Sequence, residues 1–414
     1  MTVVYIASRL PYPLRSGLAI RQFRLLQAYA TVARVKLVFL HEEPDTFRVP
    51  DALQASCASV HPVAVETETL QRLERLPNWR RRLTYLTARR PLAAVASYSP
   101  RLRDTVLDLA SSADLVHVAR LHMVPHVESM FSMAGRRPAL VLDLDDVETV
   151  ARARWLKAGF AGSPSNRLFG YYDLARLWAF QRRAMRAFDR VLVCSAGDRK
   201  ALGGPNVVVI PNGVDPPPSD VAHDSDGKTI LYCGQLSWQP NIDATLYLIN
   251  EILPRVRRHV ADVRVSIVGS KPPEAIRALA DGTRVTVRAD VPSMDEFYRH
   301  ATLLAVPLRV GGGTRIKILE AFAHGVPVVS TSIGCEGLDV ANEEHLLVED
   351  DPGRFATRCI ELLSNPDLRR HLAARAKSLV LAQYTWASIT ERVATLAREL
   401  RTSRAAVAGS VLGI

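Results

Sequence analysis

Short apolar runs bounded by turn residues recur along the chain, and stretches with apolar residues on a helical period lie between them. Val3–Ala7, Val35–Leu40, Asp114–Ala119, Leu140–Glu148, Val191–Ser195 and Val207–Ile210 read as strands, and Leu18–Ala30 as an amphipathic helix. Arg152–Phe188 reads as one long helix, with core contacts included among Trp178, Phe180, Met185 and Phe188 and some of its arginines on the basic surface. A proline-rich polar stretch, Asp215–Lys228 (DPPPSDVAHDSDGK), then interrupts the pattern and reads as a linker. After it a second series begins. Thr229–Cys233, Val263–Gly269, Arg284–Val287, Thr302–Leu308 and Val326–Ser330 read as strands. Asn241–Val256, Ser293–His300, Pro352–Asn365, Pro366–Tyr384 and Ala387–Arg401 read as helices. Strand and helix alternating twice over predicts an α/β chain of two doubly wound, Rossmann-like domains, with ligands beyond the carboxyl ends of the strands.

Composition agrees with a globular chain: 414 residues, 48% hydrophobic and 23% charged. Lys and Arg outnumber Asp and Glu to give a formal net charge of +11, which favours an anionic partner without choosing one. Nucleic acid is not expected, because no recognition module is visible. The five cysteines are scattered without metal-type spacing, and their odd number argues against a disulfide framework. Met1–Ala7 enters a strand directly, and no run of about 18 apolar residues exists. The expected location is therefore cytoplasmic. Arg72–Arg103 is arginine-rich and interleaved with Trp79, Tyr85 and Leu86, which fits either a solvated helical face or a surface resting on anionic lipid at the inner face of the membrane.

The stretch with the most chemistry is Val306–Leu338, VPLRVGGGTRIKILEAFAHGVPVVSTSIGCEGL. It reads as strand, glycine turn, helix and strand, with Thr314 capping the helix and Gly325 ending it. Gly311, Gly312 and Gly313 let backbone amides approach a ligand, and a helix start favours an anion. Arg315 and Lys317 put cations in the first turn, where the helix dipole disfavours them unless an anion such as phosphate is bound there. Glu320, farther along the helix, is placed to accept hydrogen bonds from ribose hydroxyls. The same pattern also fits an ordinary tight turn followed by a solvated basic helix start. Asp143, Asp145 and Asp146 close the Leu140–Glu148 run, as Mg²⁺ ligands, an acceptor-side base or the acidic first turn of a helix.

The run GGGTRIKILEAFAHGVPVVST…GCEGL resembles the donor-nucleotide motif of glycosyltransferase family four, retaining sugar transferases of the GT-B fold. Pro211-Asn212-Gly213-Val214-Asp215 and Tyr384-Thr385-Trp386 are similar to further family elements. The resemblance implies an acceptor domain over 1–215, a nucleotide-sugar domain over 216–385, a cleft between them, and a terminal helix over 386–414 returning to the first domain. It implies transfer of a sugar from a nucleotide diphosphate sugar, as co-substrate, to a glycan or lipid-linked acceptor, without a bound metal or resident cofactor. Ser16 and Gly17 stand where the family carries paired glycines near the donor phosphate. Asn212, Gly234, Gln235 and Thr314 fall on donor-side positions, and His117 on a position facing the reacting sugar. Asp146 is the candidate acceptor-side base, while Arg315 and Lys317 would stabilise the departing diphosphate.

This chain departs from the pattern in two places. Gly312 replaces the first of two family glutamates, and Gln235 and Pro240 replace two phosphate-gripping cations. Arg315 and Lys317 are the expected compensation. A nucleotide-sugar epimerase of the same fold and a catalytically silent nucleotide-sugar-binding protein are the alternatives.

Overall fold

The computed structural model describes residues 1–414 except 15, 66–89, 134–136, 160–161, 219–222 and 412–414, with side chains described to residue 403. Most of Arg72–Arg103, including Trp79, Tyr85 and Leu86, lies outside the described residues. Two compact units form: residues 1–210 with 389–414, and residues 211–388.

The first unit is built on a parallel sheet of β1 (Thr2–Ala7), β2 (Arg34–His41), β3 (Ser59–Ala64), β4 (Leu115–Ala119), β5 (Ala139–Leu144), β6 (Arg190–Val193) and β7 (Val207–Val209). Their spatial order is β3-β2-β1-β4-β5-β6-β7. The order reverses between β1 and β4, which pair through Val3 with Leu115 to Ile6 with Val118. Helix α1 (Gly17–Ala30) follows β1, and Ser16 Oγ caps it by accepting from Ala19 N at 3.2 Å. Both faces of β4 and β5 are covered, which is why they read as unbroken apolar runs.

Two readings of this half need correction. The helix expected over Arg152–Phe188 is two helices, α2 (Glu148–Lys157) and α3 (Pro164–Ala187). Gly159 and Gly162 take φ of 82° and 75°, and Ser163 with Pro164 starts a new helix. Among the four candidate core contacts Met185 and Phe188 are buried, but Trp178 is 51% exposed on the outer face of α3.

The second unit carries β8 (Thr229–Gln235), β9 (Arg264–Ser270), β10 (Val285–Ala289), β11 (Leu303–Val306), β12 (Val328–Ser330) and β13 (Leu347–Val348), all parallel, in the order β10-β9-β8-β11-β12-β13. The order reverses here between β8 and β11, paired through Leu303 with Ile230 and Leu304 with Leu231. Helix α4 (Gln239–Tyr247) follows β8 and gives way to a π turn at Leu248–Ile252. Pro254 lacks the amide that would continue the α-helical ladder, which explains the break inside the helix expected over Asn241–Val256. Helix α5 (Ile316–Ala323) follows β11, and α6 (Pro352–Ser364) and α7 (Pro366–Gln383) complete this unit. The last helix, α8 (Trp386–Val411), buries Ile389, Val393, Ala397 and Leu400, and from residue 389 it groups with the first unit.

Thus two doubly wound parallel sheets are present, as the strand and helix pattern predicts. Among the described residues no helix is long and apolar enough to cross a membrane.

Candidate functional site

The reversal point of an open parallel sheet leaves a crevice at the strand ends, because the loops there diverge to opposite faces. In the second unit those loops follow β8 and β11. Gly234 and Gly269, paired across β8 and β9, bring the backbones into close contact: a Cβ at residue 269 would lie 1.8 Å from Gly234 O. Gly234 itself has φ 149°, and a Cβ there would lie 2.8 Å from Lys317 Nζ and 3.0 Å from Asn241 Nδ2. The positive φ favours glycine at 234, and Lys317 occupies the adjoining space.

Lys317 lies in the first turn of α5 and is half-buried. Its ammonium donates to Asn241 Oδ1 at 3.2 Å and sits 4.8 Å over the Tyr232 ring. Tyr232 OH donates to the same Asn241 oxygen at 3.1 Å, and Asn241 Nδ2 donates to Gln235 O at 2.9 Å. Burial is the largest influence on Lys317 and lowers its pKa to about 8, with Arg315 nearby acting in the same direction. Gln235 is exposed and donates from Nε2 to Ser237 Oγ at 3.2 Å.

Arg315 corrects the sequence reading. It occupies the N-cap position of α5, so the helix begins one residue after it, and Thr314 does not cap. Thr314 Oγ1 is buried without a hydrogen-bond partner among the described residues. The Arg315 guanidinium turns back and donates to the carbonyl of Gly312 and, at 2.7 Å, to that of Gly313. It is buried, its Nη1 fastens the glycine turn, and its Nη2 reaches Ile333 O at 3.5 Å. Gly311 with φ 146° and Gly313 with φ 71° take the shape this return requires. A Cβ at residue 311 would lie 2.7 Å from Arg315 Nη2 and 3.4 Å from the Trp238 ring. Ile316 N and Ile318 N already donate to the carbonyls of Thr314 and Arg315, at 3.2 and 2.9 Å. Lys317 is thus the cation this turn holds beside Gly234, and Arg315 organises the turn.

Glu320 lies one turn further along α5. Tyr298 OH donates to its Oε2 at 2.8 Å, and the Tyr298 ring stacks on His324 at 4.9 Å. His324 Nε2 in turn faces Asp295 Oδ1 at 3.1 Å. Burial raises the Glu320 pKa, opposed by the Tyr298 hydrogen bond. Asn212 belongs to this unit and is buried. Asn241, Tyr232 and Tyr298 were not singled out in the sequence. The asparagine following Trp238-Gln239-Pro240 was the available signal, but it meets Lys317 only once the sheet is assembled.

The first unit places its candidates differently. His117 lies within β4 and is fully buried, so it does not face an open site. Its Nδ1 is 3.1 Å from Tyr29 OH, its ring stacks on Tyr5 at 4.3 Å, and burial lowers its pKa to about 3. Asp143 lies inside β5 rather than at a free strand end. It forms a buried ion pair with Arg21, whose Nη2 is 2.7 Å from its Oδ1. Arg21 Nη1 also donates to Ile210 O at 2.9 Å. Asp145 pairs with Arg120 at 2.8 Å, and Asp146 is half-buried beyond β5. Ser16 Oγ is engaged as the α1 cap, and Gly17 is the first residue of that helix. Among the described residues no group of three or more His, Cys, Asp or Glu is placed to hold a metal ion.

Part of the chain is similar to known glycosyltransferases. Residues 227–365 match the model of the family described as glycosyl transferases group 1, and that segment contains Gly234, Asn241, the glycine turn, Lys317 and Glu320. The fold is that of the GT-B glycosyltransferases. Sucrose-phosphate synthase from Thermosynechococcus elongatus superposes with TM-score 0.70 over 97% of this chain and 99% of that one, at 17% identity. An uncharacterized 44.6 kDa protein in the cps region of Klebsiella pneumoniae is 26% identical over 170 residues, 39% of this chain and 44% of that protein. A GDP-mannose-dependent alpha-(1-6)-phosphatidylinositol monomannoside mannosyltransferase of Mycobacterium tuberculosis is 32% identical over 162 residues, 35% of this chain and 42% of that protein. The chain thus spans less than half the length of these curated relatives.

Proposed function

We propose that the chain transfers a sugar from a nucleotide diphosphate sugar to a glycan or lipid-linked acceptor, with retention of anomeric configuration, and that the second unit holds the donor. The observation that carries this reading is Lys317: a half-buried ammonium held by Asn241 beside Gly234, at the point where the strand order reverses. A diphosphate is the ligand that suits such a cation beside a glycine turn. Gly312 and Gly313 keep their side of the turn free of side chains, and Arg315 takes up their carbonyls as hydrogen-bond acceptors. Glu320, positioned by Tyr298, is the ribose acceptor.

In this reading the bond from the anomeric carbon to the β-phosphate oxygen breaks as the acceptor oxygen bonds to that carbon on the same face. The acceptor proton passes to the leaving phosphate oxygen. Lys317 stabilises the charge that develops on that oxygen, a kind of contribution worth about 10²–10³ in rate when a single donor is removed. The nucleotide sugar is a co-substrate, and the scheme calls for no resident cofactor. Asp146 is the acceptor-side group retained from the sequence. His117 is not, because it is buried within its sheet.

A second reading, a silent nucleotide-sugar-binding protein, is favoured by Gly312 in place of a carboxylate and by the inward turn of Arg315. One experiment separates them. Nucleotide sugars are first screened for an increase in melting temperature. Those that bind are then incubated with lipid-linked acceptors, and release of nucleoside diphosphate is measured. Acceptor-dependent release supports transfer, whereas binding without release supports the silent reading.

A further inference from the structure

Helix α3 (Pro164–Ala187) has an inner face that packs into the first unit through Leu177, Ala184 and Met185. Such a helix normally turns charged and polar residues outward. The outer face of α3 instead carries Leu168, Tyr171, Tyr172 and Trp178, exposed by 74%, 39%, 41% and 51%. Only seven large apolar side chains are exposed to this degree among the described residues, and four of them are on this one helix. At about 100° per residue their spacing, continued by Ala175 and Ala179, makes a single stripe. A contiguous apolar stripe of this kind marks an interaction surface.

The same stripe ends in charge. Arg182, Arg183 and Arg186 are exposed in the last turns of α3 and form no ion pair with a carboxylate among the described residues. The Arg182 guanidinium lies 4.6 Å over the Trp178 ring, and Arg176 lies 5.5 Å over the Tyr172 ring. The only acidic residue of the helix, Asp173, is buried on the inner face. Aromatic rings with arginines laid over them, and no exposed carboxylate, suit the boundary between acyl chains and anionic head groups. A second copy of this chain is a poor occupant, because the same face presents no exposed carboxylate to meet the arginines.

We propose that the outer face of α3 docks on an anionic lipid surface, with Leu168, Tyr171, Tyr172 and Trp178 in the interface and Arg182, Arg183 and Arg186 on the head groups. These residues lie outside Arg72–Arg103, the stretch that sequence composition singled out, although α3 touches its described end through Arg176 Nη2 to Arg90 O at 2.8 Å and Leu92 N to Asp173 Oδ1 at 3.1 Å. The inference stands apart from sugar transfer, since lipid binding needs no donor. It would nevertheless bring a lipid-linked acceptor to the protein.

The test uses the full chain and vesicles of phosphatidylcholine, alone or mixed with phosphatidylglycerol, read by co-sedimentation. The native chain is expected to sediment with the mixed vesicles and far less with phosphatidylcholine alone, and added salt should weaken the binding. Replacing Arg182, Arg183 and Arg186 together by Gln should lower the partition coefficient roughly 100-fold. Leu168→Ser with Trp178→Ser should lower it comparably, and Trp178→Phe should remove the blue shift of tryptophan emission on vesicle addition. The melting temperature without ligand serves as the folding control and should stay near the native value in each variant. Equal binding of the native chain and both multiple variants overturns the proposal. So does failure of the native chain to bind mixed vesicles, or an effect of the variants on self-association or on capture of an acidic protein without an effect on vesicles.

Discussion

Lys317 Nζ and Asn241 Oδ1 are 3.2 Å apart, joining the first turn of the helix after β11 to the first turn of the helix after β8. Tyr232 OH shares the same asparagine oxygen, so the ammonium is positioned from two directions. Asn241→Leu should lower kcat/KM for the donor by about tenfold or more, in line with the loss of a hydrogen bond to a charged group. Steady-state kinetics with donor varied at saturating acceptor checks this. A merely structural role would instead appear as a lower melting temperature with kcat/KM preserved.

The same pair sets a pH dependence. Burial lowers the Lys317 pKa to about 8, so the proton is lost as pH rises through that value, and only the charged form attracts a diphosphate. kcat/KM for the donor, which reports the free protein, should therefore fall above about pH 8. Asn241→Asp places a carboxylate beside the ammonium and should move this limb to higher pH. Lys317→Met should leave a lower profile without the limb.

Arg315 should behave as an organiser of the turn. Its Nη1 donates to the carbonyls of Gly312 and Gly313 while Nη2 reaches Ile333 O at 3.5 Å, a contact through two nitrogens of the fork that a single ammonium does not reproduce. Arg315→Lys should raise the donor KM nearly as much as Arg315→Ala, although it keeps the charge. If Arg315→Lys retained native kinetics, charge rather than the fork would be the operative property.

His117 predicts an acid sensitivity of the first unit. Its folded pKa is lowered to about 3 from an ordinary value of 6.5, because it is buried as the neutral ring. Between these values the unfolded chain binds a proton that the folded chain does not, so stability is full above about pH 6.5 and declines as pH falls. The slope for one group is about 1.4 kcal/mol per pH unit. His126, also buried and lowered to about 4, adds to the decline, so the informative quantity is a difference. Urea unfolding of His117→Gln, which keeps an acceptor for Tyr29 OH, should show a shallower loss of stability than the native chain between about pH 6 and 4.

The sequence revealed the architecture where strands are buried on both faces, as in β4 and β5. It also located the glycine turn, because strand, three glycines and an amphipathic helix form a local pattern. What it did not reveal was direction. Nothing in the spacing of Arg315 and Lys317 says that the first turns inward onto carbonyls while the second reaches Asn241. That outcome depends on β8 lying beside β11, a contact between residues far apart in the chain. Asp143 illustrates the same limit: it reads as one of three aspartates at a strand end, yet its partner is Arg21 on a helix near the start of the chain. The outer face of α3 was misread because Trp178 resembles a core residue until the buried side of the helix is known.

The central claim is that Lys317 holds the diphosphate of a nucleotide sugar beside Gly234. Isothermal titration of the native chain and of Lys317→Met with the stabilising nucleotide sugar, and with its nucleoside diphosphate, tests it most directly. The account predicts saturable binding of both ligands to the native chain, weakened for both by at least about tenfold in Lys317→Met, while the melting temperature without ligand stays near the native value. Unchanged affinity for the nucleoside diphosphate in Lys317→Met would contradict it.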